Sequence, residues 1–188
     1  MTNNKTAFFW NENCFWHAAG NFAFLVPTGG VVEPSNTSNF PETADSKRRL
    51  KNLIEVSGLS EDLYCISSAK KVSYSELIRV HTESYIKRFS QLSKQNGGEL
   101  GLRAPFGSGG FDIACISANL VKEALFSVLC DNYKNSYALS RPPGHHCLPD
   151  FPNGFCLLNN IAIAVEAALK ERKVEKVAIV DWDVHHGN

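Results

Sequence analysis

The sequence has no surplus of charge: 19 lysines and arginines balance 19 aspartates and glutamates. Binding to phosphate-rich surfaces needs a basic excess or at least a basic face, so neither nucleic acid nor a membrane is an expected partner. Nor is there a continuous apolar run near the ~20 residues that cross a bilayer. The opening Met1-Thr-Asn-Asn-Lys-Thr-Ala-Phe-Phe-Trp10 lacks the unbroken apolar stretch of a signal peptide, and a cytoplasmic location is the expectation. No CxxC pair occurs among the six cysteines at 14, 65, 115, 130, 147 and 156. That spacing argues against a disulfide scaffold and for free thiols in a reducing compartment. Internal repeats and low-complexity blocks are also missing. What is present suits one domain with a real core: 188 residues, 44% apolar and 20% charged. Histidine is unusual in its placement, since four of the six stand in two pairs, His145-His146 and His185-His186.

Residues 27–47, with Pro27, Gly29, Gly30, Pro34 and Pro41, read as a long loop. Leu50, Leu53, Ile54 and Leu59 then take helical spacing, with Gly58 as the stop. Leu63-Tyr-Cys-Ile66 reads as a short strand. Ser73-x-x-Glu76 is a capping box that opens a second helix. This helix breaks near His81-Thr82 and resumes to about Gln95, where Asn96-Gly-Gly98 ends it. A glycine-rich loop fills 99–110, and the apolar stripe from Ile113 to Val128 marks another helix. Ser136–Leu139 reads as a strand feeding a Pro-Gly loop over 141–154. Leu157–Arg172 reads as an alanine-rich helix, and Lys176-Val-Ala-Ile-Val180 as a strand buried on both faces. Strand, loop, helix and strand make a βαβ unit, and hence a parallel α/β sheet. Ligands bind beyond the carboxyl ends of such strands. Both histidine pairs fall just past those ends, so they should meet in space.

The later cluster is Asp181-Trp-Asp183-Val-His185-His186-Gly-Asn188. If extended geometry continues, Asp181, Asp183 and His185 share one face. Two like charges there are costly unless a cation or donors offset them. Oxygen and nitrogen donors at this spacing suit a divalent metal, zinc first. The plainer reading, a helix-capping aspartate beside a core histidine, does not explain two aspartates pointing one way. The earlier cluster is Arg141-Pro-Pro-Gly144-His145-His146. Its prolines fix φ, and Gly144 permits a turn that a Cβ would hinder. A rigid pair of imidazoles suits general acid–base work, since histidine titrates near neutrality. A second metal site or a plain rigid turn are the other readings.

Together, Arg141-Pro-Pro-Gly-His-His146, Asn153-Gly-Phe-Cys156 and Asp181-Trp-Asp-Val-His-His-Gly-Asn188 resemble the histone deacetylase superfamily. The likeness is to its class II-like bacterial deacetylases and acetylpolyamine amidohydrolases. Phe15-Trp-His17, Arg48-Arg49 and Val80-His-Thr82 agree with that branch. The resemblance implies a three-layer parallel-sheet arginase/deacetylase-like fold, incomplete in this chain. It implies Zn2+ held by Asp183 and His185. Asp181 would serve both a structural K+ and a hydrogen bond that fixes the His145 tautomer. His146 would be the general base and acid, oriented by Asn188, where class I members usually carry aspartate. Gly154 and Phe155 would wall the acyl-lysine channel, and Glu99 stands where relatives often carry an acidic rim residue. Cys156 and Cys147 read as ordinary thiols near the site, and His17 and His81 as structural anchors.

The implied reaction is hydrolysis of an acetylated lysine or polyamine, releasing acetate. A catalytic zinc takes about three protein ligands. The family's third, an aspartate, and its oxyanion-stabilising tyrosine would lie further along than Asn188. Residues 1–188 are therefore expected to be the N-terminal part of one deacetylase catalytic domain, truncated within the metal-binding motif and inactive alone. The alternatives are a non-catalytic fragment or binding module, and an arginase-like two-manganese hydrolase, which the Pro-Pro-Gly-His-His loop and the Gly-Phe-Cys segment disfavour.

Overall fold

The computed structural model describes residues 5–18, 22–23, 26–30, 32–33 and 41–188. The expected loop over 27–47 therefore lies partly outside the described residues, and helix begins inside it. In chain order the elements are β1 (Thr6–Trp10), β2 (Phe22–Ala23), β3 (Val26–Pro27), α1 (Ala44–Val56), β4 (Leu63–Ser67), α2 (Tyr74–Val80) and α3 (Glu83–Ser93). They continue with β5 (Gly98–Glu99), β6 (Pro105–Phe106), α4 (Gly110–Cys130), β7 (Ser136–Leu139) and α5 (Asn160–Lys170). Short 3-10 turns occupy Glu12–Trp16 and Leu59–Asp62.

The main sheet has the order β4-β1-β7, and both pairings are parallel. Its central strand, β1, is the one that the sequence reading leaves unassigned. Successive residues of a strand face opposite ways, and Ala7, Phe8 and Phe9 are all buried, so both faces of β1 are covered. Helix α4 packs across β1 and β7 and along α5. By length and composition alone α4 could span a bilayer. Its apolar character has a nearer cause, since Ile113, Ala114, Ile116, Leu120 and Ala124 are core residues here.

Local signals behave as their chemistry dictates. Ser73 and Glu76 form the reciprocal capping box, with Ser73 N–H donating to Glu76 Oε2 at 2.6 Å and Glu76 N–H to Ser73 Oγ at 3.3 Å. The α2–α3 break falls at His81, and Thr82 caps α3. Gly58, just past α1, adopts the left-handed φ of 78° that helix ends favour.

The strand expected over Lys176–Val180 does not form, and the βαβ unit proposed from it is not closed. Residues 175–180 pair with no strand, and Val177, Ile179 and Val180 are 40%, 59% and 74% exposed. A β-branched run becomes a buried strand only where a neighbour offers a hydrogen-bond ladder and a packing face, and no described residue offers this segment either. The parallel sheet comes instead from β1, β4 and β7.

Candidate active site

Because the strands run parallel, the chain segments that follow β1 and β7 leave from the same edge. They are clamped together there. Arg141, just past β7, is 3% exposed. Its Nε donates to both oxygens of Glu42 at 2.9 Å. Its Nη1 reaches the carbonyls of His17 at 2.6 Å and Cys14 at 3.4 Å, both past β1. A planar fork matched to a carboxylate and a set of carbonyls is the use for which arginine outperforms lysine. The next carbonyl, of Pro142, accepts from Ser117 Oγ at 2.8 Å and Asn160 Nδ2 at 3.1 Å. Gly144 is needed here for close approach: a Cβ on it would stand 2.6 Å from Asn160 N. The conformational turn that the sequence suggested is not the reason, since Gly144 is not among the positive-φ residues.

This base presents His145 and His146 side by side, with ring centroids 4.0 Å apart. The second cluster meets them. Asp181 Oδ2 accepts from His145 Nδ1 at 2.8 Å, and that bond holds the Asp181 carboxyl below the usual carboxylate range. Asn188 Oδ1 lies 3.3 Å from His146 Nδ1, and Asn188 N–H donates to His145 O at 2.9 Å. A proton on His146 Nδ1, donated to that amide oxygen, would leave the Nε2 lone pair free.

The period-two face expected for Asp181, Asp183 and His185 is replaced by two consecutive Asx turns. Asp183 N–H donates to Asp181 Oδ1 at 3.0 Å, and His185 N–H to Asp183 Oδ1 at 2.8 Å. Aspartate favours such turns because its short side chain mimics a backbone acceptor. Asp183 is also held below the ordinary carboxylate range, by the backbone and then the ring of His185. Asp183 and His185 still reach one cavity together, while Asp181 stays behind on His145.

That cavity has a volume of about 570 Å³ and is lined by both His145 and His146, by Asp183 and His185, and by Gly154 and Phe155. The two histidine pairs do meet, through His145, His146 and His185; the centroids of His146 and His185 are 6.1 Å apart. Gly154, at φ 49°, lies so close under His146 that a Cβ there would fall 2.4 Å from the ring's Cδ2. Phe155 is itself left-handed, at φ 69°. Glu99 is not brought to this cavity. Its Oε1 accepts from Ala104 N–H at 3.0 Å, and it borders a separate depression with Arg88 and Asp150. The short-range hydrogen bond within its own loop holds it there.

The remaining sequence candidates take structural places. His81 Nδ1 lies 3.2 Å from Pro149 O while Nε2 accepts from Asn159 N–H at 3.0 Å, so a neutral ring pins the 148–159 loop to the α2–α3 corner. His17 is buried. Cys156 and Cys147 are buried, and burial pushes both thiols up, Cys156 to about 12; such thiols are poor nucleophiles. The sequence reading missed Pro41, Glu42, Lys47, Leu102 and Arg103, and held Pro143 and Asn153 only as parts of the quoted motifs; all of them line the cavity. Arg141 stands in the quoted motif, but its partner Glu42 is 99 positions away and carries no local signal.

The donor chemistry suits a zinc ion in part. Asp183 Oδ1 and His185 Nδ1 lie 2.9 Å apart, close enough for one cation to touch both, and carboxylate with imidazole is a zinc-compatible pair. Among the described residues no three His, Cys, Asp or Glu side chains converge on one point.

The chain is similar to known proteins over most of its length. The histone deacetylase domain family matches residues 40–188. A histone deacetylase-like amidohydrolase of Pseudomonas aeruginosa is 51% identical over 184 residues, 98% of this chain and 48% of that protein. Histone deacetylase 8 of Arabidopsis thaliana is 31% identical over 192 residues, all of this chain and 50% of that protein. The crystal structure of the HDA15 HD domain superposes with a TM-score of 0.83 at 27% identity, over 99% of this chain and 49% of that one. The fold is thus the parallel sheet with flanking helices of the arginase/deacetylase type, and the chain spans about half the length of these relatives. It belongs to the histone deacetylase family.

Proposed function

We propose that the protein built on this chain is a zinc-dependent amidohydrolase that removes acetyl groups from acetylated lysine or similar acylated amines. One observation carries the reading: a histidine pair fixed on a buried base faces an Asp–His donor pair across a single cavity. Asp183 and His185 would hold the zinc, their oxygen and nitrogen donors 2.9 Å apart. When bound, the ion supplies Lewis-acid polarisation of the amide carbonyl and a water of lowered pKa.

The chain's own residues supply the rest. His146, with Nδ1–H on Asn188, has a free Nε2 that can take a proton from water and return it to the leaving amine. His145, tied to Asp181, holds the second cluster against the first and presents a further imidazole to the cavity. Phe155 offers an aromatic wall to the apolar stem of an acylated lysine, and Gly154 leaves room for the His146 ring.

The test is acetate release from an acetyl-lysine peptide by the full-length gene product. Activity that disappears on chelation and returns with zinc supports the reading; a zinc-loaded, folded protein that releases no acetate from peptide or small-amine substrates overturns it.

A further inference from the structure

Four described residues other than glycine adopt positive φ: Arg103, Asn132, Phe155 and Arg172. Asn132 and Arg172 follow the ends of α4 and α5, where a left-handed residue is an ordinary way to stop a helix. Arg103 (φ 55°) and Phe155 (φ 69°) have no such explanation. Both line the candidate active-site cavity, and they are bonded to each other: Phe155 N–H donates to Arg103 O at 2.8 Å. Flanking bonds lock the same strip, from Gly154 N–H to Leu102 O at 3.0 Å and from Leu102 N–H to Pro152 O at 3.1 Å. The backbone of Arg103 is thus held to the cavity wall in a conformation that glycine or asparagine would adopt more readily.

The guanidinium on this fixed stem is exposed and makes no hydrogen bond or ion pair among the described residues. The other charges on the cavity wall are occupied. Glu42 is shared between Arg141 and Lys47, at 2.9 and 3.2 Å, and Asp183 is bonded to His185. Glu99, which would have given the rim a negative charge, is turned into its own loop. Arg103 is therefore the cavity-wall charge without a partner among the described residues.

We propose that Arg103 is a specificity-determining residue that receives a carboxylate of the substrate, placed next to the acylated amine; this rests on the hydrolase reading above. The carboxylate belongs either to an acidic side chain beside an acyl-lysine in a peptide or to the α-carboxylate of free acyl-lysine. A substrate with a second cation near the acyl group, such as an acetylated polyamine, meets like charge and is disfavoured.

The experiment uses the full-length, zinc-loaded protein and matched peptides with Asp, Ala or Lys beside Nε-acetyl-lysine, together with free Nε-acetyl-lysine and its α-amide. Both kcat/KM and the binding of the deacetylated product peptides are measured. Attraction in one substrate and repulsion in the other should give a roughly three- to tenfold preference for Asp over Lys, in keeping with exposed ion pairs, and salt should shrink it. Arg103→Asn removes the charge while suiting the left-handed backbone, and should bring the Asp/Lys ratio close to one. Arg103→Lys should keep part of it. A preference confined to the peptides places the carboxylate on a neighbouring residue; one confined to free acetyl-lysine over its amide places it on the α-carbon. An Asp/Lys ratio unchanged in Arg103→Asn, or a wild-type preference for Lys, overturns the proposal. Charge-selective peptide binding without any acetate release would leave the rim assignment standing and remove the hydrolase reading instead.

Discussion

The two strips of chain that meet at the cavity are held in opposite ways. The 141–158 strip is built into the core: Arg141, Pro142, Cys147, Pro152, Cys156, Leu157 and Leu158 are buried, and Arg141 alone binds a carboxylate and several carbonyls. Among the described residues the 175–188 strip finds no ladder and little cover, with Trp182 and Val184 at 92% and 93% exposed. What anchors it to the other strip is chemistry within the site: His145 to Asp181, His146 to Asn188, and the Asn188 amide to His145 O. The histidine pair is therefore preorganised by folding, whereas the strip that carries the donor pair is tied to the histidines at Asp181 and Asn188. Rigid support from a well-packed base is what catalytic geometry needs, and among the described residues the 141–158 side has it.

That contrast separates the sites' failures. In the full-length protein, Asp183→Ala or His185→Ala should abolish zinc retention while leaving the core strip folded, as metal analysis and circular dichroism would show; unchanged zinc content would remove them as ligands. His146→Ala should keep zinc and lose about 10²–10⁴-fold in turnover, the range for a general acid–base. Equal turnover would dismiss His146 from that role.

Breaking the core-built strip should act on stability first. Arg141→Met leaves Glu42 buried without the guanidinium that bonds both its carboxylate oxygens through Nε, and removing one member of a buried pair destabilises by about 3–5 kcal/mol. Lys47, 3.2 Å from Glu42, offsets part of that and favours the lower end. Denaturant unfolding measures it, and a loss under 1 kcal/mol would show that the strip does not depend on the clamp.

The same contrast governs how much the sequence disclosed. Features fixed by neighbours along the chain were legible: the Ser73 capping box and the helix ends at Gly58 and Asn96-Gly-Gly98. The two histidine pairs meet as expected, but through side-chain bonds and not beyond a second parallel strand. Features fixed by distant partners were not. Strand β1 is only five residues long and owes its central place to pairing with β4 and β7. Glu42 matters because Arg141 reaches it across the fold. The Val177–Val180 run has strand composition and no neighbour to pair with. Glu99 sits at a plausible rim position in sequence, and a hydrogen bond to Ala104 decides where it points.

The smallest effect concerns pH, and it tests whether the core-built strip relies on neutral histidines. Burial, then the Arg141 charge, holds His17 well below the ordinary histidine value of 6.5. Burial also lowers His81, against the opposing pull of the Pro149 and Leu148 carbonyls. Both rings must gain a proton on unfolding in mild acid, so below 6.5 the unfolded state binds more protons and stability falls as pH falls. Above 6.5 both states are neutral at these sites and the contribution is flat. The Tm of the full-length protein should thus decline from pH 6.5 toward 5, before ordinary carboxylates titrate. His17→Leu should flatten part of that decline, because the variant has no proton to gain at that position. His81→Gln should flatten the rest and also lose the two-sided tie between Pro149 O and Asn159 N–H that the neutral ring supplies. A wild-type Tm that is level from pH 7.5 to 5, or a decline that persists undiminished in both variants, would show that the base under His145 and His146 does not depend on these rings staying neutral.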